Sequence, residues 1–247
     1  MSVEWLKPVF DDGVEASFLT SSLSISGQTT VTDRLMIVGE LPLSHAQTET
    51  VNAFGETQSL SSTTVGNPYL GIELWGHSMP FFLELGMRVP AVDDPAFFTS
   101  AVGTLTDLNQ IGTYAVDRVP IRLVGNYQYT HPSSNVSVRL RGGSETFFPA
   151  GKNATGSMVL TYGVQGWYHG TPLTVGLGAT GRWGVTQPDA GFRESTLHQF
   201  SATLQGTVGH FQPGLLVRIP VDTALREVFP VIVGITMSID LSGRDEK

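Results

Sequence analysis

The chain has 247 residues, 40% of them hydrophobic and only 15% charged, with 28 glycines, no cysteine and a net charge of −8. So few charges fall well short of the quarter usual in a soluble domain. The missing cysteines exclude disulfides, thiolate metal sites and cysteine nucleophiles, and the acidic balance argues against nucleic acid, whose phosphates need a basic face.

In chain order, the N-terminus Met1-Ser2-Val3-Glu4-Trp5 lacks the basic region and apolar core of a secretory signal. For an exported protein the expectation is a cleaved signal replaced here by a start Met. Twelve segments with a two-residue alternation follow: 3–10, 14–26, 34–43, 67–76, 80–89, 112–130, 135–146, 155–168, 172–184, 195–208, 211–221 and 227–241. The first is broken by Pro8 and is admitted because two termini on one rim demand an even strand number. No uncharged apolar run reaches the roughly 18 residues of a spanning helix. The short connections are 27–33, 77–79, 131–134, 169–171 and 209–210, and longer ones lie between them. Tight turns on one rim and long loops on the other are the pattern of a membrane barrel.

Successive strand side chains point to opposite faces, so each segment has one apolar and one polar face. The run from Met158 to Tyr168 is the clearest case, and 173–183 repeats its scheme. The polar face has almost no Lys and much Gly, which suits an enclosed lumen better than a solvated exterior. The prediction is therefore an all-β protein: one closed antiparallel up-and-down transmembrane β-barrel over 1–247, about twelve strands, with short periplasmic turns and longer extracellular loops. The tail 242–247 stands apart from it.

With the apolar parity outward, residues such as Leu35, Ile72, Leu83, Leu123, Leu160 and Val233 meet lipid. Inward fall the charges Glu40, Glu73, Glu84, Arg88, Arg122, Arg139, Arg141, Arg182 and Arg218, and the aromatic residues Tyr69, Trp75, Phe82 and Trp167. A slip of one residue would turn every one of these charges into lipid. The internal charges read either as Arg–carboxylate pairs bracing a narrow barrel or as a constriction that selects solutes by charge. Tyr127, Tyr129, Phe147, Phe148, Trp167, Tyr168, Trp183 and Phe211 cluster near strand ends, as in an aromatic girdle. The inward aromatics are alternatively stacking surfaces for an aromatic ligand.

Of the long connections, 47–65 is polar, buries little and is expected to be mobile. The segment 95–108 has Phe97, Phe98, Ala101, Val102 and Leu105 at helical spacing behind Asp94-Pro95, and predicts a short helix over the lumen mouth or on the rim. Pro42, Pro90 and Pro220 are expected where strands stop pairing.

No catalytic constellation stands out. His45, His77, His131, His169, His198 and His210 are scattered without metal-ligand spacing. His198 with Ser195 or Ser201 is the nearest approach to the Ser–His pair of a barrel-surface phospholipase. No phosphate loop or nucleophile elbow occurs. The reading is a non-enzyme with no cofactor and no metal.

The stretch Val31-Thr32-Asp33-Arg34-Leu35-Met36-Ile37-Val38-Gly39-Glu40-Leu41-Pro42-Leu43 resembles a recurrent element of the meta-pathway phenol-degradation family of outer-membrane transporters. Asn67-Pro68-Tyr69-Leu70-Gly71-Ile72-Glu73-Leu74 and Leu83-Glu84-Leu85-Gly86-Met87-Arg88-Val89-Pro90 are similar to that family's next two strands. The resemblance implies a monomeric barrel in the bacterial outer membrane, contacting lipid and lipopolysaccharide, that passes small hydrophobic or aromatic molecules. The chain departs from such barrels where Leu241 is followed by a polar tail rather than a terminal aromatic residue. Two other readings stay open: a sealed structural or surface-display barrel whose loops do the work, and a soluble ligand-binding β-barrel.

Overall fold

The computed structural model describes residues 1–10, 20–51, 57–76, 80–93, 96–151, 155–186, 191–192 and 194–241. Thirteen strands run in chain order: β1 (Ser2–Val9), β2 (Ser21–Thr32), β3 (Leu35–Val51), β4 (Thr57–Val65), β5 (Tyr69–Trp75), β6 (Phe81–Arg88), β7 (Arg118–Thr130), β8 (Val136–Pro149), β9 (Ser157–His169), β10 (Leu173–Gly184), β11 (Thr196–Gly206), β12 (Phe211–Pro220) and β13 (Val231–Ile239). Helix α1 (Phe97–Leu105) and a 3-10 segment (Leu108–Tyr114) lie between β6 and β7, and the short α2 (Thr223–Arg226) precedes β13.

Every strand pairing is antiparallel. Twelve strands form a closed ring, because β1 pairs with β13 on one side and β2 on the other, and β2 pairs in turn with β3. Closure leaves the wall without an open edge, the only way a sheet satisfies its backbone in hydrocarbon. The Pro8-interrupted segment is thus a full wall strand, pairing from Ser2↔Ser238 to Val9↔Val231.

The register keeps one parity around the ring. Glu40 lies opposite Tyr69, Tyr69 opposite Arg88, Arg122 opposite Glu145, and Arg182 opposite Thr161. The other parity carries Leu70, Leu123, Leu177, Leu215 and Ile235, all well exposed, with Leu177 at 67%. Charged side chains are the covered ones: Arg88, Glu145 and Arg182 are 2–3% exposed. This inverts a soluble core and is the arrangement of a barrel greasy outside and polar within.

Five expectations need correction. The strand expected over 14–26 is β2 at Ser21–Thr32, so residues 27–32 continue the wall against β3 instead of turning, while 14–19 lie outside the described residues. The segment 47–65 is not a loop: β3 runs on to Val51 and pairs with β4 from Leu43↔Val65 to Val51↔Thr57. Its Thr- and Ser-rich residues need no buried face, because the hairpin is held by its ladder. Pro42 therefore does not end β3. It marks where β3 leaves β5, last paired at Glu40↔Tyr69, and takes up β4, so a residue without an N–H sits between two ladders. Strand β7 starts at Arg118 rather than 112, and β13 at Val231 rather than 227, because helical turns occupy the chain just before each. Phe147 is not in the girdle but inside and buried, opposite Pro120. Asp94-Pro95, the turn 77–79 and the tail 242–247 lie outside the described residues. Helix α1 itself begins after Ala96 without a side-chain cap.

Candidate functional site

The β6–β7 connection folds into the barrel. Its α1 buries Thr99, Val102 and Gly103, and its 3-10 segment buries Leu108, Gly112, Thr113 and Tyr114. Two positions show how closely this plug is fitted. A Cβ on Gly103 would lie 2.0 Å from the Tyr114 ring, and one on Gly112 would lie 2.2 Å from Glu145 Oε1. A void of about 20 Å³ lies between the plug and the wall residues Glu4, Ser22 and Pro42. At the mouth Phe10 bridges Phe98 of α1 and Phe229, with centroids 5.9 Å and 5.2 Å away.

Polar contacts grip the plug as well. Arg218 reaches Glu4 at 2.8 Å and Asp107 at 3.2 Å, and donates to the Thr106 carbonyl at 3.1 Å. Arg88 pairs with Glu40 at 3.4 Å and donates to Gln110, whose Nε2 donates to Glu40 at 2.8 Å. Arg122 donates to the Asn109 carbonyl at 3.1 Å. Ser44 donates to the Thr99 carbonyl at 2.8 Å. Asn67, fully buried, donates from Nδ2 to the Gly112 and Ala115 carbonyls, while its Oδ1 accepts from the Ala91 and Val92 amides. It thereby clasps both ends of the connection.

Asp107 caps the 3-10 segment by accepting from the Asn109 amide at 2.8 Å. Burial pushes its carboxyl up. The Arg218 guanidinium, followed by the Asn109 donors, outweighs that and holds it below the ordinary value.

A second layer lies toward the short turns. Glu84 accepts from Tyr69 at 2.8 Å and meets Arg141 at 3.1 Å and Arg122 at 3.4 Å. Glu73 sits directly opposite Glu84 on β5. Two like charges so placed repel, and the arginines on β7 and β8 offset them. Arg139 donates to Asn126 at 2.9 Å and lies 4.8 Å over the Phe82 ring, which stacks on Trp75 at 4.2 Å. Beyond this layer, a cavity of about 1000 Å³ opens at the short-turn rim, lined among others by Ser26, Gln28, Thr30, Gln212 and Asp240.

All nine charges singled out from the sequence sit on the inner parity. The structure joins Glu40 with Arg88, and Glu84 with Arg122 and Arg141, while Arg218 binds Glu4 and Asp107 instead. Among the described residues the Arg182 guanidinium makes no hydrogen bond. Tyr69 lies under Arg88 at 5.4 Å. Trp167 lies apart from the Trp75–Phe82 pair, across from Ser137 and Gly176. Glu4 and Glu145 went unnoticed although strand parity would have revealed them. Asn67, Asp107 and Gln110 carry no periodic signal, since they act from connections.

A closed ring of antiparallel strands with a polar filled interior and an apolar outer face defines the transmembrane β-barrel class. Solved structures agree on the fold. The chain is similar to the NanC porin (TM-score 0.57, 8% identity, covering 97% of this chain and 99% of that one). It is similar to the COG4313 outer membrane channel from Pseudomonas putida F1 (TM-score 0.57, 13% identity, 96% and 93% covered). It also resembles the KdgM porin (TM-score 0.50, 12% identity, 97% and 100% covered). No protein-family model matches the chain, and no curated protein matches it in sequence.

Proposed function

We propose that the protein is an outer-membrane barrel for passive passage of small molecules, closed at rest by residues 96–114. In this reading the long connections face outward from the cell, the belt contacts lipid and lipopolysaccharide, and one chain makes one channel. The observation that carries it is the nature of the plug's grip. Ion pairs and hydrogen bonds such as Arg218–Asp107 and Arg88–Gln110 can be exchanged for water, whereas an apolar core cannot be undone so cheaply. The cavity at the other rim supplies half of a path. Glu40, Glu73, Glu84, Arg88, Arg122, Arg139, Arg141, Arg182 and Arg218 then set which charges pass. The stacked Trp75 and Phe82 beside Arg139 favour a flat aromatic solute. That agrees with the phenol-transporter resemblance of residues 31–90.

The close fit of Gly103 and Gly112 favours a second reading, a permanently sealed barrel. Liposome swelling separates the two. The chain with 96–114 replaced by a short Gly-Ser linker should admit small sugars, and the parent should admit them more slowly. A parent that stays impermeable under every applied voltage and solute would establish the sealed reading.

A further inference from the structure

We propose that the inner wall carries a site for one small monovalent carboxylate, held by Arg182 with Thr161 and Gln199 and covered by the plug. The site needs neither a passing solute nor a plug that opens. Arg182 is 2% exposed, Gln199 5% and Thr161 6%. They lie on the inner parity of three neighbouring strands, β10, β11 and β9. Thr161 stands directly opposite Arg182, and Gln199 stands opposite Thr180, the next inward residue of β10. Diagonal neighbours of that kind are within reach of long side chains. The 3-10 segment of the plug packs against β10 and β11.

Among the described residues, none of the three Arg182 guanidinium nitrogens has a hydrogen-bond partner, and neither does Thr161 Oγ1 or Gln199 Nε2. The other unpartnered buried side-chain atoms on β7 to β11 are Arg122 Nε, Asn126 Nδ2 and Arg141 Nε. Every one of these groups donates. A buried donor without an acceptor is costly, and more so when it is charged. What this arc of the wall lacks is an acceptor.

The protein's own carboxylates do not supply it. Glu145 and Asp107 are the acidic groups that act on Arg182. Asp107 is taken by Arg218. Glu145 Oε1 lies against Gly112 of the plug, where a Cβ would come within 2.2 Å. A ligand carboxylate matches the guanidinium fork with two oxygens and leaves lone pairs for the Thr161 hydroxyl and the Gln199 amide. Glu145 limits the ligand to a single charge, because a second one would be repelled. Gly143, opposite Thr161, and Gly163, the next inward residue of β9, raise no side chain beside the site. That bare floor suits an acid of the size of formate or acetate.

The test is isothermal titration of the full chain, folded in detergent at constant ionic strength, with formate. The parent should take up one formate per chain and no formamide, which keeps the shape and lacks the charge. Sulfate, a dianion, should bind at least about tenfold more weakly. Arg182→Gln should lower formate affinity about thirtyfold and Thr161→Val about fivefold. Arg118→Gln removes an inward arginine that already donates to Ser157 at 3.2 Å, and should bind formate like the parent. Bromoacetate in crystals of the parent should give an anomalous peak beside Arg182. Heat-modifiable gel mobility confirms that each variant is a folded barrel. A folded parent that takes up no formate overturns the proposal, as does sulfate bound as tightly as formate. An Arg182→Gln variant that binds like the parent, or an Arg118→Gln variant that loses as much as Arg182→Gln, overturns it too. None of these measurements reads conductance, so the passage reading stands or falls separately.

Discussion

Asp107 is the most informative residue to remove. Its carboxylate meets Arg218 at 3.2 Å and caps the 3-10 segment through the Asn109 amide at 2.8 Å. A charge-assisted hydrogen bond is worth about 1.5–3 kcal/mol, and losing a cap costs about 1 kcal/mol. Arg218 keeps Glu4 and the Thr106 carbonyl, so the full penalty of a stranded buried charge does not apply. Asp107→Ala should therefore weaken the docked state of 96–114 by about 2.5–4 kcal/mol, or roughly two to three decades in its equilibrium. In planar bilayers the variant should show open-channel events about a hundred times more often than the parent. Limited proteolysis within 96–114 should rise in step. A variant whose segment becomes protease-sensitive while its traces stay as silent as the parent's would refute the idea that this segment closes the lumen. If neither measurement moves, Asp107 does not hold it.

Lowering the pH should act on the same anchor. A carboxyl held below its ordinary 3.8 by Arg218 contributes anchoring that is complete above that value and is lost as pH falls through its folded-state pKa; Arg182 and Glu4 are the other charges acting there or on its partner. Traces should stay quiet from neutrality down to about pH 4 and become active only below it, and opening already near pH 6 would contradict the assignment. Glu84→Gln leaves Arg122 and Arg141 without their shared carboxylate, which should cost about 3–5 kcal/mol, read as a lowered urea midpoint in lipid vesicles. Leu177→Arg puts a charge on the most exposed stretch of β10 and should cost about 2–4 kcal/mol if that site lies near the bilayer midplane; an unchanged midpoint would mean that this face meets water.

The wall was legible from the chain alone because its two faces live in opposite media. Leu123 and Arg122, or Leu177 and Arg182, can each occupy only one parity, so alternation carries the strand, its face and its register together. The plug was only half legible. Helical spacing at Phe97, Phe98, Ala101, Val102 and Leu105 marks α1, but where a helix docks depends on partners remote in the chain. Gln110 answers Glu40 across 70 positions, and Thr106 answers Arg218 across 112. Local pattern holds no trace of such pairings. The β4 hairpin was missed for a different reason. Its Ser and Thr residues show no apolar alternation, and what holds it is a backbone ladder to β3, which leaves no mark on side-chain pattern.

The plug is a loop whose two ends leave from adjacent strands, β6 and β7, at the same rim. The cylinder can therefore zip shut around an empty bore, and the loop can drop in afterwards like a cork on a tether. Nothing needs to be threaded, and nothing in the wall has to come apart when the cork is drawn.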